Sequence, residues 1–387
     1  MDFELSDEQR QMRDVMRAFT EEQITPVSIE LEQAGTYPEK IVIGLAELGL
    51  FGMTVPTEYG GLGADLVTMT LVFEEISKGW MGVAGILGSH SLACKMIADH
   101  GTEEQRATRL PELARGERRT AIALTEPDAG SDLQGIATRA ELDGDEYVVT
   151  GTKMWITNAR HADPLPVLVK TDPTAVPPHR GMSVLLVPKD SPGMEVTRDL
   201  HKLGYRGPET CEVVLDQVRV HRKWLLGGVE GRGMQQVLSA LEAGRLNIAA
   251  RSVGIAQASL DDAVSYSSTR EAFGQPIGNF QAVQMRLADM ATRISAARVL
   301  TWWAADRAQR RRADMETGMA KYFASEVAIE AALECMRIHG SYGYSEELPV
   351  ARRYRDAPLM AIGEGTNDIL RTVIARHLAG GWAFEDE

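Results

Sequence analysis

Ala361-Ile-Gly-Glu-Gly-Thr-Asn-Asp-Ile-Leu370 places one carboxylate, Glu364, between two glycines and two residues ahead of Thr366, a candidate helix N-cap. Glycine on both sides leaves the backbone free to approach a ligand and leaves the carboxylate uncovered by its neighbours. A carboxylate held beside a carbonyl compound can remove a proton from the adjacent carbon. The alternative reading is an acidic residue in a glycine turn that opens an amphipathic helix.

The 387 residues around this stretch suffice for a large core and two or three structural units. Asp+Glu 55 against Lys+Arg 41 gives a net charge of −14. That acidic balance argues against nucleic acid or an anionic membrane as the main partner, while leaving room for a local basic phosphate pocket. Cys94, Cys211 and Cys335 are far apart and form no CxxC or His/Cys cluster, so no metal is expected and a reducing compartment is. Nothing resembles a secretory or transit segment or a run of about 20 apolar residues, so no membrane span is expected. The expected location is the cytoplasm; 32 arginines against 9 lysines hint at a GC-rich bacterial genome.

Three regions follow from the periodicity. Residues 1–118 read as helical, with capping boxes at Ser6-Asp-Glu-Gln9 and Thr102-Glu-Glu-Gln105. Gly60-Gly61-Leu62-Gly63 is a turn cluster with no strand leading into it. Residues 119–229 carry short β-rich runs at 120–124, 147–150, 167–170, 183–188, 194–197 and 212–220, which read as a small barrel or sandwich. Residues 230–387 return to the helical period, with candidate helices at 234–268, 279–311, 314–338 and 366–379. The fold class expected is α+β: an N-terminal helical domain, a central β-barrel domain and a C-terminal long four-helix bundle.

Two loops of the β region suit a flat heterocycle. Ala123-Leu-Thr-Glu-Pro-Asp-Ala-Gly-Ser-Asp132 sets Thr125, Ser131 and small residues on a turn after a strand, exposing hydroxyls and backbone N–H groups. A solvated surface turn has the same composition. Gly151-Thr-Lys-Met-Trp-Ile-Thr-Asn158 follows about 25 residues later; by itself Trp155 reads equally as core. Arg270-Glu-Ala-Phe-Gly-Gln-Pro-Ile277, then Phe280-Gln281, sits between two long helices, and Arg suits phosphate by charge and fork geometry.

Together these stretches resemble the acyl-CoA dehydrogenases: the EGT turn, the TEPxAGSD and GxKxWITN segments, the RxxFGxxI…xQ stretch and the QxxGGxGY loop occur in order from about residue 4 to 379. The resemblance implies FAD as cofactor and Glu364 as the base that takes the α-proton of an acyl thioester. It implies flavin-ring contacts from Ile122, Leu124, Thr125, Gly130, Ser131, Trp155, Ile156 and Thr157. It implies FAD contacts from Arg270, Phe273, Phe280 and Gln281 of a neighbouring subunit, from the loop Arg337, Ile338, His339, Gly340 and Ser341, and from Thr366 and Asp368. Ser131, Glu242, Arg245 and Gly365 are implied at the substrate. Some members place the glutamate directly before the arginine that matches Arg245; here that residue is Gly244.

The chain departs from the pattern at Arg337, where Gln is common, and at Ser341, in place of a glycine. Pro164 and Pro166 fall where the family continues a strand, so that strand should start late or lie at an edge. The expected reaction is dehydrogenation of acyl-CoA to trans-2-enoyl-CoA, with electrons leaving to electron-transfer flavoprotein and the chain assembled as a homotetramer. The alternatives are an acyl-CoA oxidase, a dehydrogenase of a carrier-protein thioester, or a catalytically silent subunit. A short or modest acyl chain is expected, with Ser89–Met96 setting pocket depth; His90 reads as a pocket group or as a packed histidine.

Overall fold

The computed structural model describes residues 4–380; residues 381–387 of the expected C-terminal region lie outside them. Both capping boxes form. Ser6 starts α1 (Asp7–Phe19) and Thr102 starts α5 (Glu103–Ala114), each side chain accepting from the N3 backbone while the N3 glutamine answers. Between them run α2 (Ser28–Gln33), α3 (Glu39–Glu47) and α4 (Leu66–His100). Gly60 and Gly63 of the turn cluster both take positive φ.

Helix α4 is long and apolar enough to cross a membrane, but 83% of its most apolar window is buried inside the protein. It is the core helix, and it is broken at Trp80 (φ −159, ψ 109) between Gly79 and Gly82. The break frees the Gly79 carbonyl, which accepts from the buried Arg352 guanidinium at 2.5 Å. A side chain on Gly79 would strike Thr20, so glycine lets α4 seat against the first helices.

The β region is an open six-stranded mixed sheet in the order β4-β3-β1-β2-β6-β5, not the expected barrel. Its strands are β1 (Arg139–Asp143), β2 (Glu146–Thr157), β3 (Leu165–Lys170), β4 (Met182–Val187), β5 (Met194–Asp199) and β6 (Thr210–His221). The sheet stays open because β4 and β5 are its two edges, and β3 meets β1 in parallel only at Arg139↔Lys170. Strand β1 has no counterpart among the sequence-derived runs. Residues 120–124 are not a strand; they touch β3 through one bridge, Ala123↔Val167. Strand β3 does start late, at Leu165, but it is not an edge strand. Pro166 pairs with Leu186 of β4, and its carbonyl accepts from the Ala123 N–H at 2.8 Å, so the missing donor faces irregular backbone.

The C-terminal helices are α6 (Gly233–Thr269), α7 (Gln281–Arg310), α8 (Asp314–His339), α9 (Pro349–Ile362) and α10 (Asn367–Ala379). A two-residue hairpin, β7 (Glu271–Ala272) with β8 (Gln275–Pro276), joins α6 to α7. Helix α9 was not expected; its arginines Arg352 and Arg353 are buried, which hides its amphipathic period. Helix α4 packs along α6, so the first and last helical regions share one core.

Candidate active site

Glu364 lies in the turn between α9 and α10, in the left-handed region at φ 55, followed by Gly365 at φ 91. A non-glycine residue there is uncommon and costs strain that the surroundings must hold. Thr366 accepts from the Ile369 N–H and caps α10. Lys321, fully buried on α8, donates to the Gly365 carbonyl at 2.8 Å and to Asn367 Oδ1 at 2.9 Å. Asn367 Nδ2 donates in turn to Ser325 and Glu326. The turn is therefore tied to α8 just after Glu364, at Gly365 and Asn367.

The carboxylate rests over Gly244 of α6: a Cβ there would be 2.8 Å from Glu364 Oε2 and 3.2 Å from Leu92. Burial pushes the Glu364 carboxyl above the usual range, against the pull of Arg251, Lys321 and Arg245. Burial likewise lowers the Lys321 ammonium to about 8.

Arg245 follows Gly244, and its guanidinium bonds Asp314 Oδ1 at 3.1 Å. Glu242 accepts from the Ala313 N–H, so it fastens the α7–α8 turn. Arg251, two turns along α6 from Gly244, donates to Met81 Sδ and lies over the Tyr205 ring at 5.4 Å. The Tyr205 phenol lies near Thr157 and fills the space above Gly85. A chain of contacts thus runs from Thr157 of the β region to the helices around Glu364. His90 lies outside the open site: it is fully buried, accepts from the Thr120 N–H, and is driven down to about 3 by burial. The packed-histidine reading holds.

The two loops of the β region meet through a buried pair. Lys153 Nζ donates to Glu126 Oε1 at 2.7 Å and to the Leu124 carbonyl at 3.1 Å, and Glu126 also accepts from the Ala137 and Thr138 N–H groups. The Met154 N–H donates to the Thr125 carbonyl. Just beyond, the β2–β6 register slips between Lys153 and Ile156, and Trp155 takes φ 66. The bulge turns Trp155 outward, leaving it 54% exposed, while Ile156 stays buried. Ile122, Leu124, Thr125 and Thr157 are half-buried, and Gly130 and Ser131 are exposed.

The remaining sequence-derived residues lie elsewhere on the chain. Arg270, Phe273 and Gln281 are exposed on and beside the β7–β8 hairpin, with Phe273 96% exposed and half-buried Phe280 edge-on to it at 6.0 Å. His339 is buried against Tyr266, Ile338 is buried, and Arg337, Gly340 and Ser341 are exposed. Asp368 is exposed in the first turn of α10. Among the described residues no group of His, Cys, Asp and Glu could hold a metal.

The N-terminal, middle and C-terminal domains of acyl-CoA dehydrogenase match residues 6–117, 121–218 and 231–379. The chain is 43% identical to the probable acyl-CoA dehydrogenase YngJ of Bacillus subtilis, over 98% of this chain and 100% of that one. It is 38% identical to the bovine mitochondrial short-chain specific acyl-CoA dehydrogenase, covering 97% and 91%. Butyryl-CoA dehydrogenase from Megasphaera elsdenii superposes with a TM-score of 0.95 at 36% identity, covering 98% and 100%. The chain belongs to the acyl-CoA dehydrogenase family.

Acyl-CoA dehydrogenases are FAD-dependent flavoprotein oxidoreductases, and the donor set here fits a flavin. Trp155 offers an open aromatic face on a strained bulge, with Thr125 and Thr157 hydroxyls on the adjoining segments. Sequence reasoning missed Lys321, Arg251, Tyr205 and the Glu126–Lys153 pair. Lys321 left a signal: it interrupts the small-residue face Thr317, Ala320, Ala324, Ala328 of α8, where a charge must have a partner. Arg251 left the same signal on α6, and Tyr205 left none.

Proposed function

We propose that this acyl-CoA dehydrogenase oxidises a short acyl thioester to its trans-2-enoyl product, with Glu364 as the base. The observation that carries the reading is the desolvated Glu364 carboxylate seated over Gly244, on a turn that Lys321 holds through the Gly365 carbonyl. The α C–H proton passes to Glu364 as the α,β double bond forms. Bound FAD supplies the two-electron acceptor for the β-hydrogen. Thr125, Trp155, Ile156 and Thr157 would hold its ring, and the Glu364 main-chain N–H helps polarise the thioester oxygen. Arg245, ion-paired with Asp314, still adds positive potential at Glu364. Anaerobic bleaching of the flavin by butyryl-CoA tests the reading; a flavin that no acyl thioester reduces would overturn it.

The proposal extends to assembly and electron exit. The exposed Phe273, with Arg270 and Gln281 around it and Met285 61% exposed on α7, supports burial against another copy, most simply in a homotetramer. Arg270→Ala should then lower FAD retention across gel filtration, with light scattering reporting the assembly. Electron-transfer flavoprotein is the proposed acceptor; rapid reoxidation by air with stoichiometric peroxide would argue for an oxidase.

Gly244 gives a sharper expectation. Gly244→Ala puts a methyl where the carboxylate rests. The carboxylate is the free end of a flexible side chain, so stability should change little. Misplacing a base by about 1 Å lowers the rate roughly tenfold to a hundredfold, read in stopped flow as slower flavin reduction at unchanged FAD content.

A further inference from the structure

Lys321 stands where stability alone would not put a cation. It is fully buried on α8, and its ammonium meets the turn at the start of α10. A helix N-terminus carries partial positive charge, so an ammonium there is repelled, and burying it adds a desolvation cost. Neither helix needs Lys321 for its own termination. Thr366 already caps α10 by accepting from the Ile369 N–H, and the Gly363 N–H already closes α9 on the Leu359 carbonyl. An apolar side chain of similar length would fill the slot without either cost.

What Lys321 does hold lies between those two caps. Glu364 stands at φ 55 and Gly365 at φ 91. Gly365 has no side chain to limit its rotation, so a partner for its carbonyl is what keeps the residue beside the base from swinging. Lys321 is that partner at 2.8 Å, and at 2.9 Å it also holds Asn367 Oδ1, whose amide donates to Ser325 and Glu326 of the same helix. The same ammonium acts on the base itself: the charges that act on Glu364 are Lys321 together with Arg251 and Arg245 of α6, all cations. Those that act on Lys321 are Glu364, Arg245 and Glu326, while Asp368 on α10 is exposed and paired with Arg371. Burial holds the ammonium down to about 8. Once it loses its proton, its pull on Glu364 goes, and its hydrogen bonds fall to about half the strength of charge-assisted ones.

We propose that Lys321 is a positioning residue for the proton transfer: its ammonium aims the Glu364 turn and holds the carboxylate ionised, so loss of the ammonium's proton ends the active pH range on its alkaline side. This rests on the dehydrogenase reading for the reaction. The base and the cation behind its turn then bound the pH range from opposite sides, Glu364 by losing its proton and Lys321 by keeping its own.

The test follows anaerobic flavin reduction by saturating butyryl-CoA on the FAD-loaded enzyme across neutral and alkaline pH. The wild-type rate should rise through the Glu364 ionisation and fall again above about 8. Lys321→Met keeps the length and removes the charge. Its rate at neutral pH should drop by about tenfold to a hundredfold, as for a misplaced base, with FAD content and the dialysis Kd for the enoyl product unchanged. Its alkaline fall should be gone, and its rising limb should move to higher pH. Glu326→Gln, at a half-buried position, keeps an acceptor for Asn367 but removes a carboxylate that helps Lys321 keep its proton. It should shift the alkaline fall to lower pH, and it decides the matter by itself where Lys321→Met does not fold. An alkaline fall that persists in Lys321→Met, a neutral rate there equal to the wild type, or a Glu326→Gln profile that superposes on the wild type would overturn the proposal. A wild-type flavin that no thioester bleaches would overturn the dehydrogenase reading with it, whereas bleaching with unmoved pH profiles would overturn the role of Lys321 alone.

Discussion

Glu364→Gln should lower flavin reduction by butyryl-CoA by about 10³-fold or more, the upper part of what a positioned base contributes, while FAD and an enoyl thioester still bind. Glutamine keeps the size and one acceptor but cannot take a proton. Stopped-flow reduction at saturating substrate measures it; near wild-type bleaching would remove Glu364 from the mechanism. The pH dependence follows from the same burial. The folded pKa of Glu364 is raised, so the ionised, competent form accumulates only above the ordinary carboxylate range, and kcat/KM should rise with pH up to that raised value. For stability the sign is opposite. An ionised carboxylate whose folded pKa is raised costs stability above that pKa and none below its unfolded value of 4.5. Glu364→Gln should therefore melt higher than wild type at neutral pH, and the gain should vanish below about 4.5.

Lys153→Met should destabilise the enzyme by about 3–5 kcal/mol, the cost of leaving one member of a buried ion pair uncompensated. Lys153 is fully buried and Glu126 is 7% exposed, so solvent screens the pair little. The pair also joins the Thr125 loop to the Trp155 bulge, so loss of bound FAD should accompany the loss of stability. Denaturant unfolding followed by tryptophan fluorescence and by flavin release reads both. Glu126→Gln combined with Lys153→Met should be less destabilised than Lys153→Met alone, because no buried charge is stranded. A double variant that is worse than the single one would mean that the pair matters through packing and not through charge.

Much of the Glu364 turn was legible because its geometry is local. Glu364, its glycines and the Thr366 cap lie within four residues, and their spacing dictates the turn. The long helices were legible for the same reason, since the helical period was read over 234–268 and 279–311, close to the observed Gly233–Thr269 and Gln281–Arg310. The sheet closure was not, because whether β4 and β5 meet is decided by pairings between strands far apart in sequence. Helix α9 was hidden by buried arginines that break its apolar face, and the strand β1 by its exposed residues. Lys321 and Arg251 interrupt the small-residue faces of α8 and α6, which signals that each needs a partner; only the packing of α8 and α6 against the Glu364 turn reveals what they face. Trp155 carried a family signature, yet its outward aim comes from a register slip that no residue announces.

The seat above Gly244 has an evolutionary consequence. The proposed base is specified by a place in space, and two segments more than a hundred residues apart both border it. A glutamate at position 244 of α6 would compete for the volume that the Glu364 carboxylate now fills. Descent can therefore relocate the base while the chemistry stays put. A lineage with glycine at both positions would have lost the activity, and one with an acid at either would have kept it, so the two sites have to be inspected jointly when ancestry is used to judge whether a relative is active.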